Sequence, residues 1–532
     1  MSSNRRVLGV GASLALAAVV SVSVVSSAAV APVARETVAV QPAPPLPLLE
    51  PEMDHDSVAL PPTAGAKGVE QRITDMQARS RSAASTRPLP ATYIKAGYTP
   101  RPLSGTDLPY NSPVLYGYDR DVPRDAAGVR MFVVGGVLYD HPVAQAQDAL
   151  MSLSDYRLTG EARYLDRAVV DAQRLVDRRV LSDDAWYYPY RFDFKLHNRT
   201  DFVMRAPWFS GMAQGQALSV FSRLFEMTGE QQWRDAAAAT FNSFRNAPAQ
   251  NLPSTVNIDP AKYLWLEEYP RWPTTASDRT LNGHVYSAFG LYDYYRISED
   301  PTARDVWNGA MANTRYYLVH GFRGAGFTSH YCLAHTTVRP TSYHAGHWTQ
   351  LVMLHASTGD PVWSRYADLL RADYPPPAVS GTVVFAGGRH TGYKYNATGG
   401  ITASKTITLS RQSNAPANAR QRIQGRGVML HITAGVLAGF WIPESYPRTW
   451  IAGSRVSLAY PLQRTVMIPV GSWSAYQYDA AGKRTAWKTI EPPRTTSAPF
   501  DASAVIDGRW HIHITAGSLA DFWLPAAGTT QN

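Results

Sequence analysis

The sequence predicts a mainly α chain in which repeated helical hairpins form an incomplete or full α/α toroid, followed by two small repeated antiparallel β modules. Three observations carry this. Between roughly Pro142 and Tyr374, an apolar-periodic helix ends four times in a similar turn: Thr159-Gly160-Glu161, Thr228-Gly229-Glu230, Ser298-Glu299-Asp300 and Thr358-Gly359-Asp360, about 60–70 residues apart. Downstream a different unit recurs after about 82 residues: Gly392-Tyr393-Lys394-Tyr395-Asn396-Ala397 matches Ala475-Tyr476-Gln477-Tyr478-Asp479-Ala480, and the His431-Ile432-Thr433-Ala434-Gly435 run matches His513-Ile514-Thr515-Ala516-Gly517. Hydrophobic residues make up 45% of the 532 and aromatics 11%, enough for large packed cores.

Taken in order, the chain begins with Arg5 and Arg6 ahead of an uncharged, Ala- and Val-rich stretch from Val7 to Ala34. Ala29-Val30-Ala31 fits the small-x-small pattern of signal peptidase cleavage. Residues 1–34 therefore read as a signal peptide, with an uncleaved N-terminal membrane anchor as the alternative, and the product as secreted or cell-wall associated. Residues 35–90, with Pro42, Pro44, Pro45, Pro47, Pro51, Pro61 and Pro62, read as a disordered linker, and the chain to about Ser85 is too polar to suggest a core.

Residues 91–376 carry the hairpins. The Gly in three of the four turns suits a helix C-cap, and the acidic residue that ends each turn suits the next helix's N-terminus. Matching Ala144-Gln145-Ala146-Gln147 and Ala213-Gln214-Gly215-Gln216 lie at equivalent places in their helices. A tetratricopeptide scaffold repeats at about half this length, so the toroid is the better reading. Residues 377–455 and 456–532 are the two β repeats, with alternating β-branched and aromatic runs punctuated by Gly and Asn. Neither offers an acid/base pair, and both read as modules that bind cell-wall glycan.

Lys and Arg total 51 against 42 Asp and Glu, a formal charge of +9 without basic runs. That argues against nucleic acid and for an acidic polymer as partner. The single cysteine, Cys332, excludes an intrachain disulfide and a Cys-based zinc cluster. His344 and His347 stand at i, i+3 but lack a third ligand in obvious spacing, so no metal is expected, nor any organic cofactor.

Chemistry-bearing residues gather where loops feed the inner helices. They are Trp208-Phe209-Ser210-Gly211-Met212-Ala213-Gln214-Gly215-Gln216, Trp265-Leu266-Glu267-Glu268-Tyr269-Pro270, Leu281-Asn282-Gly283, and His330-Tyr331 through Tyr343-His344 and His347. Aromatic faces with a few carboxylates, histidines and tyrosines suit a sugar cleft. In order and spacing, WFSGMAQGQ, EEYP, Leu281-Asn282-Gly283 with Tyr286-Ser287 and Gly290-Leu291-Tyr292-Asp293, and Tyr343-His344 with His347 and Gln350-Leu351 resemble the C-terminal catalytic domain of D-glucuronyl C5-epimerases, across roughly Arg205 to Tyr374.

The resemblance implies an isomerase that removes the C5 hydrogen of a glucuronic acid residue and reprotonates the opposite ring face. Such a site needs an acid/base group on each face and polar groups around the carboxylate. By motif, the catalytic residues are Glu268, Tyr269, Tyr331 and Tyr343. The substrate-binding candidates are Arg205, Trp208, Gln214, Gln216, Arg271, Asn282, His344 and His347, and a tyrosine acting as base would need its pKa lowered by a neighbour such as Arg205, Arg271, His344 or His347. The family also implies a homodimer. Glu267 reads as a loop or cap carboxylate, Tyr187-Tyr188-Pro189-Tyr190 and Asp193 as packing.

Two departures stand out. The animal enzymes carry an arginine three residues after the tyrosine matched to Tyr331, whereas this chain has Ala334 with His335 beside it. Those enzymes also place β domains before the helices rather than after. A different uronate polymer is therefore expected. A lyase or hydrolase on the same toroid, the latter drawing on Glu267/Glu268 or Asp183/Asp184, and a non-catalytic glycan-binding wall protein are the alternatives.

Overall fold

The structure is a computed structural model that describes residues 57–82, 87–338, 341–374, 378–396, 399–423, 426–452, 455–479 and 483–532. The export segment 1–34 and the prolines up to Pro51 lie outside the described residues. The stretch expected to be a coreless linker is corrected from residue 57 onward. Val58–Leu60 pairs antiparallel with Asp193–Lys195. Helix α1 (Gly65–Ser82) buries Val69 and Ile73, with Met76 beside them, against Val180, Ala185, Tyr187, Ala206 and Phe209. The three apolar residues fall at i, i+4 and i+7, a stripe that the surrounding polar composition hides.

Four antiparallel hairpins follow: α2 (Pro142–Thr159) with α3 (Ala162–Arg178), α4 (Gly211–Thr228) with α5 (Gln231–Phe241), α6 (Leu281–Ser298) with α7 (Pro301–Tyr317), and α8 (Thr341–Thr358) with α9 (Val362–Asp373). The first member of each pair is an inner helix, and these pack side by side in the order α2, α4, α6, α8. Their burial is nearly uniform: every residue of 142–155, 211–224 and 281–294 is buried. The outer helices are amphipathic; α3 buries only Tyr164, Ala168, Asp171, Ala172 and Leu175, one stripe at helical spacing. Each hairpin reverses through a left-handed residue. Gly160 and Gly229 both sit at φ 71° and donate their N–H to Tyr156 and Phe225, whereas Glu299 takes the same role at φ 53° without glycine's freedom.

The inner helices α4 and α6 cross closely. A Cβ on Gly215 would lie 2.4 Å from Ser287 Cα, and one on Gly290 2.1 Å from Gly215 O. The glycines of the Trp208–Gln216 and Gly290–Asp293 motifs are therefore packing requirements.

The expectation of a mainly α chain is corrected to α + β, because two seven-stranded antiparallel sheets fill the C-terminal part. The first runs Ile401–Leu409, Gly388–Tyr395, Trp441–Pro443, Gly427–Ile432, Ser413–Ile423, Ala378–Phe385, Thr449–Ala452 from edge to edge. The second repeats that order: Arg484–Ile490, Trp473–Tyr478, Trp523–Pro525, Arg509–Ile514, Thr496–Ile506, Arg455–Ile468, Thr530–Gln531. The first sheet has its own core around Val383, Phe385, Leu430, Ile432 and Ile442. The second shares the helical core through Leu458, Tyr460, Val466, Ile468 and Phe500. Among the described residues no helix is long and apolar enough to cross a membrane.

Candidate active site

The segment after strand Leu264–Leu266 is pinned on both sides: Glu267 N–H donates to Thr255 O at 2.7 Å and Gly211 N–H donates to Glu267 O at 2.7 Å. From there Glu268 turns toward the start of α6, where the Thr280 hydroxyl donates to its Oε2. Gly283 makes the room, since a Cβ there would lie 2.2 Å from Glu268 Oε2. Tyr331 arrives from the loop before α8, with its backbone N–H on Val338 O and its O accepting from Leu281 N–H. Its hydroxyl lies within hydrogen-bond reach of both Glu268 Oε1, at 3.3 Å, and the Tyr269 hydroxyl, at 3.4 Å, with one proton to give between them. The Tyr343 ring packs edge-on against it with centroids 4.6 Å apart. Tyr269 is backed by Phe194, stacked at 5.9 Å, and by Trp208 at 6.0 Å. The four candidate catalytic residues thus meet in one cluster, each no more than 5% exposed. In so dry a place hydrogen bonds to a carboxyl strengthen and an unpaired polar group becomes costly.

Glu267, one residue earlier, faces the other way. It lines a cavity of about 400 Å³ together with Arg205, Trp208, Arg271 and Trp272, and that cavity does not include the tyrosine cluster. Burial raises the Glu267 pKa to about 8, opposed by the Arg279 charge and reinforced by Asp278. Its carboxyl is therefore held in the proton-carrying form at neutral pH, which leaves Arg205 and Arg271 as the charged groups on that wall. Trp272, 53% exposed at the rim, offers a flat apolar face of the kind sugars stack on. Sequence reasoning read Glu267 as a loop or cap carboxylate and passed over Trp272, although both stand in the same Glu-Glu-Tyr-Pro-Arg-Trp run.

The other binding candidates divide. Gln216 is fully buried on α4, and neither amide atom has a protein hydrogen-bond partner. Gln214 is instead a structural tie: its nitrogen donates to Trp186 O and Ser243 Oγ, and its oxygen accepts from Tyr188 N–H. His344 is also a tie, accepting from Ser329 N–H at 2.8 Å and bonding Leu370 O at 2.9 Å. His347 bonds Ser329 Oγ through Nδ1, while its Nε2 has no protein partner. Burial lowers the His344 pKa to about 4 and the His347 pKa to about 3. Both are neutral at ordinary pH, so neither supplies the positive charge expected to depress a tyrosine. Arg205 is salt-bridged to Asp193 at 2.7 Å, and Arg271 lies 4.3 Å over the Phe202 ring. Asn282 is buried at the α6 start, and its backbone O accepts from Gln350. Tyr187, Tyr188 and Tyr190 are fully packed. The Asp183/Asp184 pair lines a different cavity of about 590 Å³, with Asp183 paired to Arg87 at 2.6 Å.

Residues 182–371 match the profile of the family described as D-glucuronyl C5-epimerase C-terminus. The likeness to that family is confined to this segment. All twelve catalytic and binding candidates fall inside the epimerase-family span, whereas both sheets lie beyond it. A curated relative, the D-glucuronyl C5-epimerase of Caenorhabditis elegans, is 27% identical over 184 residues, 31% of this chain and 29% of the relative. The chain thus spans less than a third of the length of that relative. Among solved structures, cellobiose 2-epimerase from Bacillus thermoamylovorans overlaps 47% of this chain and 65% of its own at 11% identity and TM-score 0.35. The unsaturated glucuronyl hydrolase of Streptococcus agalactiae overlaps 54% and 65% at 11% identity and TM-score 0.30. At scores this low the likeness supports no conclusion.

Proposed function

We propose that the protein is an exported uronyl C5-epimerase acting on a glucuronic-acid-containing polysaccharide. One observation carries the reading: within the family-matched span, Tyr331 bonds both the Glu268 carboxyl and the Tyr269 hydroxyl, with Tyr343 against its ring. The C5 hydrogen of a uronate lies α to its carboxylate. When the C5–H bond breaks, the electron pair moves into the carboxylate as an enediolate and the proton passes to a base. A tyrosine with an ordinary pKa near 10 is a poor base. Tyr331 is served by Glu268, whose carboxylate can take the phenolic proton across 3.3 Å as the phenol oxygen takes the one from C5. Return of a proton from a second phenol, Tyr269 or Tyr343, to the opposite face completes the inversion. Glycan contact through the β modules and a homodimer, both carried by the resemblance and the repeats, complete the proposal.

Incubating glucuronate polymers with the protein in deuterated water tests it. The expected result is deuterium at C5 with the chain length unchanged. New unsaturated ends would mean a lyase, and new reducing ends without unsaturation a hydrolase. Exchange absent from every uronate polymer that the protein retains on a column would mean a binder.

A further inference from the structure

Four side chains that the uronate chemistry leaves unused meet behind Tyr331. His197, Asp278, Cys332 and His335 bring one ligand atom each within 4.8 Å of all the others. The Asp278 carboxylate bridges both histidines, with Oδ2 3.0 Å from His197 Nε2 and Oδ1 2.7 Å from His335 Nδ1. Cys332 Sγ lies 3.5 Å from His197 Nε2 and 3.8 Å from His335 Nδ1. We propose that this quartet is a structural zinc site.

The dimensions fit. Bonds of about 2.3 Å to sulfur and 2.0–2.1 Å to nitrogen or oxygen, arranged tetrahedrally, put neighbouring ligand atoms roughly 3.3–3.6 Å apart. The sulfur distances are already in that range or just above it. The carboxylate has only to open by about half an ångström from its histidines to admit the ion. The donor set is also selective. Thiolate with two imidazoles and one carboxylate suits zinc, whereas calcium and magnesium call for oxygen ligands. Four protein donors leave no open position, and His335, the most accessible, is 14% exposed at its side chain. A closed site of this kind stabilises a fold rather than activating water. On loading, the thiol gives up its proton, and each imidazole carries its remaining proton on the other nitrogen, His197 Nδ1 and His335 Nε2.

The scaffold holds these donors in place from three distant parts of the chain. His197 sits at φ 53°, a left-handed backbone unusual for a non-glycine residue. Leu333 N–H donates to Arg279 O and Ala334 N–H to Asp278 O, each at 3.2 Å, which brings the Cys332–His335 loop alongside the segment before α6. The consequence reaches the tyrosine cluster. Cys332 follows Tyr331, the His197 ring stands edge-on to Tyr331 at 5.6 Å, and Thr280, two residues after Asp278, bonds Glu268. An ion here would fix the position of Tyr331 without touching substrate. The chain's single cysteine thereby acquires a role, and a bound thiolate is shielded from oxidation. The site stands whether or not the chain epimerises uronates.

Metal content decides it. Full-length protein stripped with chelator, equilibrated with zinc and desalted should retain roughly one zinc per chain. Its melting temperature should fall on stripping and recover on reloading. With cobalt in place of zinc, the wild-type protein should show thiolate-to-cobalt charge-transfer absorption in the near ultraviolet. Cys332→Ser should lose that band, and His335→Gln should hold zinc at least 10-fold more weakly, with circular dichroism confirming that each is folded. Wild-type protein that retains no zinc, or shows no thiolate band with cobalt, overturns the proposal without recourse to any variant. Zinc retained equally by folded Cys332→Ser would place the ion elsewhere and overturn it as well.

Discussion

Tyr331 is the residue on which the chemistry and the packing both turn. Removing its hydroxyl leaves the ring contacts with Tyr343 and His197 but ends the bonds to Glu268 and Tyr269. Tyr331→Phe should therefore cut C5 deuterium exchange by roughly 10²–10⁴-fold, the usual contribution of a general acid or base, while changing stability by only about 1 kcal/mol. Gly283→Ala approaches the same centre from the other side. Its Cβ would collide with Glu268 Oε2, so exchange should fall about as far as in Glu268→Gln, at a stability cost of about 1–3 kcal/mol. Glu267 gives a pH signature. Its folded pKa is about 8 against an ordinary 4.5, so the folded protein keeps a proton that the unfolded chain releases in between. Stability linked to it is complete below pH 4.5 and is lost as the pH rises through 8, by at most about 5 kcal/mol at 1.4 kcal/mol per unit. Denaturation midpoints measured across that window should slope downward in the wild type and flatten in Glu267→Gln. The sequence brought the three tyrosines and Glu268 into view through motif order. Motif order also set Glu268 apart from Glu267, but it could not show that Glu267 lines a cavity, because which of two adjacent carboxyls does so depends on how the strand docks. Nor could it assemble His197, Asp278, Cys332 and His335, whose spacing carries no local metal-binding pattern.

Among the elements, the crossing of α4 and α6 is the tightest test of the hairpin reading. The turns were legible because a C-cap needs a left-handed residue and an N-terminus prefers an acid, both local demands. The glycines at 215 and 290 were also visible, but their purpose was not, since helix-to-helix distance is set by the partner helix. Gly215→Ala would push a methyl to 2.4 Å from Ser287 Cα, where the contact is backbone and cannot rotate away. The helices must separate, which should lower stability by about 3 kcal/mol, at the upper end of overpacking effects. A melting scan should show this, and Gly346→Ala makes the control: it is also buried on an inner helix, yet nothing lies within 4 Å of its Cβ, so it should be neutral or slightly stabilising. Helix α1 escaped notice for the opposite reason. Its apolar stripe is three residues long, and only Val180, Tyr187 and Phe209, more than a hundred positions away, give it something to bury against.

At the scale of the whole molecule, two sheets of identical strand order play unequal parts. The repeat was legible as a repeat, but which copy joins the helical body depends on surface residues that break the pattern. In the second sheet these converge on Asp368 in the middle of α9: Arg464 Nη1 donates at 2.8 Å, Ser503 Oγ at 2.7 Å and the Tyr460 hydroxyl at 2.5 Å. Arg464 is 2% exposed and Asp368 19% at their side chains. Removing Arg464 takes the charged donor from Asp368 and leaves it the two hydroxyls, at about 1.5–3 kcal/mol. Arg464→Met should therefore lower the temperature at which C5 exchange is lost, because the sheet and the helices share one core. Ile432→Ala, a cavity of about 2–5 kcal/mol in the separate core of the first sheet, should loosen that sheet yet leave the temperature of inactivation unchanged. Parallel scans of exchange activity and protease resistance on the two variants distinguish the cases: equal loss of activity in both would mean that the first sheet, too, is part of the catalytic body.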